Sequence, residues 1–486
     1  MSSDTLLMEF AGLSRSLGAR FFPFSGERGF SSVSIDSRTV QEGALFIALA
    51  GSSTDGHRHI RAAFESGASA AMVDASKLEE FDLVRTAESM GKDLIVVENT
   101  LKGLQQAARV YLEAFPELIR IGITGSSGKT TTKEIAAAVI SKEKNTVMNQ
   151  GNLNSETGLP LSVFEVRSHH EAGVFEIGMN RRGEIAESTV VLKPNIAVIT
   201  NIGSAHIGIL GSKQAIAEEK KNIFSCFTGN ELAVIPADDE YRAYLSQDVK
   251  GRICFYNAAS FSELGVCADM GLNGTEIVWN GNTIHFSLPG RHNFSNALAA
   301  LAIAREMKIS AAAVKSGLES VQPLFGRSEI LRGQVTVIRD CYNANPESLR
   351  QAVEFCDSLE WPGRKVYVLA DMLELGGASA KAHQDMGRLL ASSDADAVFL
   401  FGTEILAAAR VLADSSRGAA ARGSTPLYSH TGDIKLLSDK LASFLKAGDL
   451  VLLKGSRGCA LERLCELPIL SAENSASNAE GGPDCS

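Results

Sequence analysis

The stretch GITGSSGKTTTKE, residues 122–134, combines a glycine-rich turn with Lys129 and the threonines Thr130, Thr131 and Thr132. Between a strand and a helix, such a turn lets backbone N–H groups face a polyphosphate at the positive end of the helix dipole. Gly125, Ser126, Ser127, Gly128 and Thr131 would cradle the phosphates. Lys129 would reach the β- and γ-phosphates, and the Thr130 hydroxyl would take a place on Mg²⁺. The general phosphate-loop pattern asks for glycine five residues before Gly128. That position is Ile123, with glycines at 122 and 125 instead. The pattern fails by one residue, but the strand–turn–helix context is the one the mechanism requires. The competing reading is an ordinary glycine turn carrying a surface lysine.

Three further side chains stand near the same edge. Glu176, in FEIGMNRRGEI, lies within an apolar strand, where a carboxylate is costly unless paired or on a metal. It is a candidate Mg²⁺ ligand, direct or second-sphere, or else one half of a structural salt bridge. His206 follows the strand NIAVITNIG (195–203), and in isolation reads as a loop histidine as readily as a ligand. Lys220, in EEKK, reads by itself as part of a solvated helix face.

The elements that must position these groups alternate. LIRIGIT (118–124), GVFEIG (173–178), NIAVITNIG and ELAVIP (231–236) are near-continuous apolar strands separated by helical stretches such as TTTKEIAAAVISK. That pattern predicts a doubly wound, mainly parallel sheet. The segment GNTIHFSLPGRHNFSNALAALAIARE (281–306) runs from a hairpin-like piece into an alanine-rich helix. VTVIRD (335–340), KVYVLAD (365–371), AVFLFG (397–402) and LVLLKG (450–455) repeat the α/β alternation. Joints fall at AFPELIR (114–120) and SVQPLFGRSE (320–329). The expected organisation is a smaller N-terminal α/β domain (1–117), a central phosphate-loop domain (118–322) and a C-terminal Rossmann-like α/β domain (323–468). A small, polar tail (469–486) is expected to lack structure.

A chain of 486 residues exceeds one ordinary core, and its formal charge of −10 includes no basic block able to track a phosphodiester backbone. No run approaches the roughly 20 apolar residues that span a bilayer, and MSSDTLLMEF does not resemble a secretory signal. The eight cysteines are scattered without a CxxC pair, which suits reduced thiols. The expectation is a cytoplasmic monomer with no nucleic-acid partner and no stable membrane insertion.

TGSSGKTTTKE, NQGNLNSETGLPLS, FEIGMNRRGEI, TNIGSAHIGILGS with AEEKKNIF, PGRHNFSNALAALAIA, GRSE and DCYNANPESL occur in the order found in the Mur ligases. The chain resembles these ATP-dependent amide-forming enzymes of bacterial cell-wall precursor synthesis over roughly residues 30–460. DSRTVQEGALFIALAGSSTDGHRHI (36–60) is similar to the N-terminal signature of the third and fourth ligases of the pathway. DCYNANPESL with LADMLELG (369–376) is similar to the fourth. The resemblance implies that ATP phosphorylates the terminal carboxylate of UDP-N-acetylmuramoyl-tripeptide. The amine of D-Ala-D-Ala then attacks the acyl phosphate, releasing ADP and phosphate overall.

It further implies roles for residues. Lys129 and Thr130 match phosphate and Mg²⁺ positions, Glu176 the metal-binding glutamate, and His206 the histidine of a second metal site. Lys220 aligns with the lysine that family members carbamylate. Asn293 matches the asparagine expected to read the adenine edge, with His292 and Asn296 either contributing or merely shaping the turn and capping the helix. Arg327 and Asp340 match residues reaching the phosphates and ribose. Ser37 and Arg38 lie in the segment resembling the UDP site, and Asn154 is a substrate-side position. Lys454 is a peptide-substrate contact or a surface lysine. The chain departs from the family at Ser155, where a second asparagine is usual, so that second amide is lost. The rivals are the third-step ligase, a folylpolyglutamate synthase and, in another class, an ATP switch without ligase chemistry.

Overall fold

The runs IRIGIT, AGVFE and IAVI are apolar on both faces, so each must sit inside a sheet covered on both sides. The computed structural model, which describes residues 6–51, 54–418 and 426–470, places them at the centre of a six-stranded sheet. From edge to edge the order is Arg252–Tyr256, Leu232–Pro236, Ile196–Ile199, Ile119–Thr124, Ala172–Glu176 and Thr146–Met148. All neighbours are parallel. The chain leaves Ile119–Thr124 toward one edge and later crosses to its other side. Three strand ends therefore converge at the carboxyl edge, at a topological switch point where open sheets bind ligands.

One face is covered by the helices Lys129–Ile140, Arg291–Glu306 and Ala311–Ser320, whose Ile135, Val139, Leu301 and Val314 share one core with Ile121 and Ile123. Gly317 makes this packing close: a Cβ there would lie 2.4 Å from Val139 Cα. Gly317→Val is expected to destabilise the fold by about 1–3 kcal/mol through overpacking, measured by urea denaturation.

The other face shares its core with the N-terminal unit. Phe175, Ile177 and Leu192 join Phe30, Leu104 and Tyr111 in one cluster, and Tyr111 Oη donates to the Val166 carbonyl at 2.5 Å. That unit carries a five-stranded sheet ordered Arg20–Phe22, Asp93–Val97, Ala70–Asp74, Ala44–Ile47, Ser32–Ser34, in which only the first pairing is antiparallel. The C-terminal unit is a second six-stranded sheet: Glu329–Arg332, Thr336–Asp340, Leu450–Lys454, Lys365–Ala370, Ala397–Phe401 and Leu427–Thr431. Glu329–Arg332 is its antiparallel edge. The fold is thus three α/β domains, as the alternation of strands and helices predicts.

The segment before the long alanine-rich helix forms a small antiparallel sheet, Ala268–Asp269, Thr275–Trp279 and Asn282–Phe286. Of the tail expected to lack structure, Leu470 is buried against the C-terminal core, and residues 471–486 lie outside the described residues. Among the described residues no helix is long and apolar enough to cross a membrane.

Candidate active site

The loop after Ile119–Thr124 needs glycine at two positions, and neither is residue 123. Gly125 has φ +155°, and a Cβ there would stand 1.7 Å from Thr200 Oγ1; Gly128 has φ +77°, with Asn296 Oδ1 2.3 Å from the same point. Ile123 is strand core, which explains why the general spacing fails while the loop still forms. The neighbouring strand end fastens the loop. Ser126 N donates to the Asn201 carbonyl and Ser127 N to Asn201 Oδ1, both at 3.0 Å, and Thr200 Oγ1 donates to the Ser127 carbonyl at 2.6 Å. Lys129 opens the helix and donates to the Gly125 carbonyl at 3.0 Å. Burial pushes its ammonium pKa down, the Glu176 charge opposes this, and the Arg327 charge adds to it.

Glu176 is buried and held from three sides. Thr130 Oγ1 donates to Oε2 and Asn154 Nδ2 to Oε1, each at 2.6 Å. The Asn149 amide clamps the Glu176 peptide, accepting from its N–H at 2.9 Å and donating to its carbonyl at 3.0 Å. Asn149 is in turn fixed by the fully buried Lys133, whose Nζ donates to its carbonyl at 2.6 Å. No salt bridge to Glu176 is formed among the described residues, so the structural ion-pair alternative fails. Ser155 uses its hydroxyl locally, accepting from Gly158 N at 3.1 Å at the start of Gly158–Val163. Asn154 alone of the pair reaches the site.

His206 sits in the left-handed region, φ +63°. Its Nδ1 is 3.0 Å from Glu374 Oε2 but lacks an aligned hydrogen-bond partner. The approach of His206 nonetheless holds the Glu374 carboxyl below its usual range. Lys220 is 1% exposed, which overturns the solvated-face reading of EEKK. Glu219 is buried as well, accepting from Gly183 N and Ile185 N at the start of Glu184–Leu192. Burial, then the nearby Lys129 charge, force the Lys220 pKa well below that of an ordinary lysine.

The C-terminal unit supplies the opposite wall. The Arg327 guanidinium lies 4.1 Å above the Tyr342 ring. Asp340 accepts from Lys454 Nζ at 2.6 Å, and Lys454 is 2% exposed, so the surface-lysine alternative for Lys454 fails. Truncating one partner of a buried pair strands the other charge. Lys454→Met is therefore expected to cost about 3 kcal/mol in urea denaturation and to raise KM for nucleotide. Asn293 is buried, donating to the Pro289 carbonyl at 2.8 Å. Asn296 lies one turn inside Arg291–Glu306 against Gly128 and accepts from Thr132 Oγ1 at 3.3 Å, so it braces the loop and does not cap the helix. His292 contacts Ser328 Oγ at 3.1 Å.

These walls enclose a cavity of about 490 Å³ lined by Ser126 to Thr131, Asn154, Glu176, His206, Asn293, Arg327, Asp340 and Lys454. Sequence reasoning assigned no role to Asn201, Asp239, Tyr342 or Glu374, which also line it. Their only signal was position just past a strand end. Gly125 and Lys220 stand behind the lining, and Ser37 and Arg38 lie outside it, in the loop after Ser32–Ser34. Arg38 is exposed and paired with Asp36.

The donors suit Mg²⁺ bound partly by phosphate and water. Thr130 and Glu176 offer hard oxygens, and His206 Nδ1, whose nearest polar neighbour is Glu374 Oε2 at 3.0 Å, makes no aligned hydrogen bond. Among the described residues no three His, Cys, Asp or Glu side chains form a closed cage.

A phosphate loop faces a second domain's arginine and aspartate across a cleft that also carries a buried carboxylate and a histidine, an arrangement suited to an ATP-dependent ligase. Residues 123–304 match the Mur ligase middle domain, 326–457 the Mur ligase glutamate ligase domain and 30–139 the Mur ligase family catalytic domain. The chain belongs to the Mur ligase family. It is 45% identical, over 92% of its length and 95% of the relative's, to the UDP-N-acetylmuramoyl-tripeptide--D-alanyl-D-alanine ligase of Treponema pallidum. To the enzyme of that name in Bacillus subtilis it is 32% identical over 89% and 92%. The crystal structure of MurF from Acinetobacter baumannii superposes with TM-score 0.80 at 26% identity, covering 94% of this chain and 98% of that one. The Thermotoga maritima MurF ligase in complex with ADP gives 0.74 at 27% identity, covering 90% and 96%.

Proposed function

We infer that this chain joins D-Ala-D-Ala to UDP-N-acetylmuramoyl-tripeptide at the expense of ATP, in peptidoglycan precursor synthesis. Full-length similarity to ligases of that name carries the reading, and the cleft supplies its chemistry. A carboxylate is inert to amines, whereas an acyl phosphate has a good leaving group. Forming it brings a carboxylate against a γ-phosphate, so cations must offset the crowded negative charge. Lys129 and Arg327, on opposite walls, would serve that purpose, and Asp340 and Asn293 would take the ribose and adenine. Mg²⁺, held through Thr130 and Glu176 with a second ion near His206, would supply further charge neutralisation.

Lys220 is the candidate for carbamylation. Only a neutral amine adds to CO₂, and burial favours the neutral form. Ser37 and Arg38 belong to the proposed UDP site, and Asn154 and Lys454 to the substrate side of the cleft. The domains proposed are 1–117, 118–322 and 323–468, working as a cytoplasmic monomer.

ATP-dependent phosphate release with product mass tests the reading over two substrate pairs. Turnover is expected with UDP-N-acetylmuramoyl-tripeptide and D-Ala-D-Ala. Turnover only with UDP-N-acetylmuramoyl-dipeptide and a free diamino acid would move the enzyme one step back in the pathway. ATP hydrolysis needing neither acceptor nor UDP-peptide would instead indicate a switch.

A further inference from the structure

The His206 segment is gripped from both sides by the C-terminal unit. On one side Glu347, in the first turn of the helix Pro346–Ser358, accepts from Ser204 N at 2.9 Å and Ser204 Oγ at 2.8 Å. The same carboxylate pairs with Lys213 Nζ at 3.1 Å. Burial pushes the Glu347 carboxyl up, but the Ser204 and Lys213 contacts outweigh it and hold it below the usual range. On the other side Gly208 N donates to the Glu374 carbonyl at 3.1 Å. Both approaches depend on glycine. A Cβ on Gly203 would lie 3.1 Å from Glu347, and one on Gly208 would lie 2.6 Å from the Glu374 carbonyl oxygen.

Between these grips His206 holds a left-handed backbone that a histidine adopts only when its surroundings over-determine it. The same segment is tied to the phosphate loop, because Gly203 N donates to Ser126 Oγ at 2.8 Å. We propose that Glu347 is a positioning residue. Docked on Ser204 and Lys213, it lets the C-terminal domain set the His206 segment and, through Gly203 and Ser126, the phosphate loop. The two domains then assemble one site only when this carboxylate is seated. Glu347 is not among the residues that line the cavity; it acts through the segment it holds.

The proposal rests on the ligase reading, and its test separates the two. Ligation is measured for the unmodified full-length chain, Glu347→Ala and Glu347→Gln. Failure of the unmodified chain to ligate would sink the functional reading itself. Given ligation, Glu347→Ala is expected to lose roughly thirtyfold in kcat, the scale of hydrogen bonds to a charged group. KM for the UDP-tripeptide should stay within about threefold, since these contacts are spent on catalytic geometry and not on ground-state binding. Glutamine can accept from Ser204 N and donate to its hydroxyl while losing only the Lys213 charge pair, so Glu347→Gln should recover much of the lost rate. Wild-type kcat in Glu347→Ala, a loss confined to KM, or a loss that glutamine does not relieve would each overturn the proposal.

Discussion

Lys129→Ala is expected to lower ligation by about a thousandfold or more, the scale of removing a preorganised donor aimed at developing charge. The lysine opens the helix after the loop and is held against the Gly125 carbonyl, between the Glu176 and Arg327 charges. Alanine keeps the helix and leaves both loop glycines untouched, so the fold should persist while the cation disappears. The informative readout is the first half-reaction. With ATP labelled at the β,γ-bridge oxygen and UDP-tripeptide present without D-Ala-D-Ala, the unmodified enzyme should scramble the label as acyl phosphate forms and reverts. Lys129→Ala should not. Scrambling at the normal rate in the variant would show that the loop lysine is not what carries phosphoryl transfer.

Lys220→Ala is expected to abolish ligation just as fully, and bicarbonate added to the variant should not restore it. Desolvation and the Lys129 charge both favour the neutral form of this buried amine, and the neutral form is what CO₂ addition needs. ¹³C-bicarbonate should give a protein-bound carbamate signal in the unmodified chain that vanishes in Lys220→Ala. Wild-type turnover in that variant would remove the carbamate proposal. The lowered pKa also has a stability consequence. Between the folded pKa and that of the unfolded lysine, near 10.5, the unfolded chain binds the extra proton, so stability contributed at this position rises with pH. In CO₂-free buffer near neutrality Lys220→Met should therefore raise the melting temperature while destroying activity. A variant less stable than the parent would contradict the burial argument.

The sequence by itself carried the fold class, because both-face apolar strands alternating with helices admit few arrangements other than parallel α/β sheets. It also carried the phosphate loop, a local motif whose strand, turn and helix are contiguous in the chain. Tertiary structure decided what depends on partners far apart in sequence. Nothing in GITGSSGKTTTKE says that Gly125 must clear Thr200 and Gly128 must clear Asn296, and so a contiguous pattern placed the required glycine at Ile123. EEKK carries four charges, and only the packing of Lys213–Lys221 against Glu184–Leu192 turns Glu219 and Lys220 inward while Glu218 stays exposed. Whether Lys454 is a surface lysine is decided only by Asp340, which lies 2.6 Å away in the adjacent parallel strand. Glu347 gave no signal and Glu374 only its place after a strand end, since a carboxylate's role at a domain contact is defined by the backbone it meets there. Short-range steric and hydrophobic patterns are written along the chain. Charge pairing and loop positioning are settled only when the domains bring distant residues within a few ångströms.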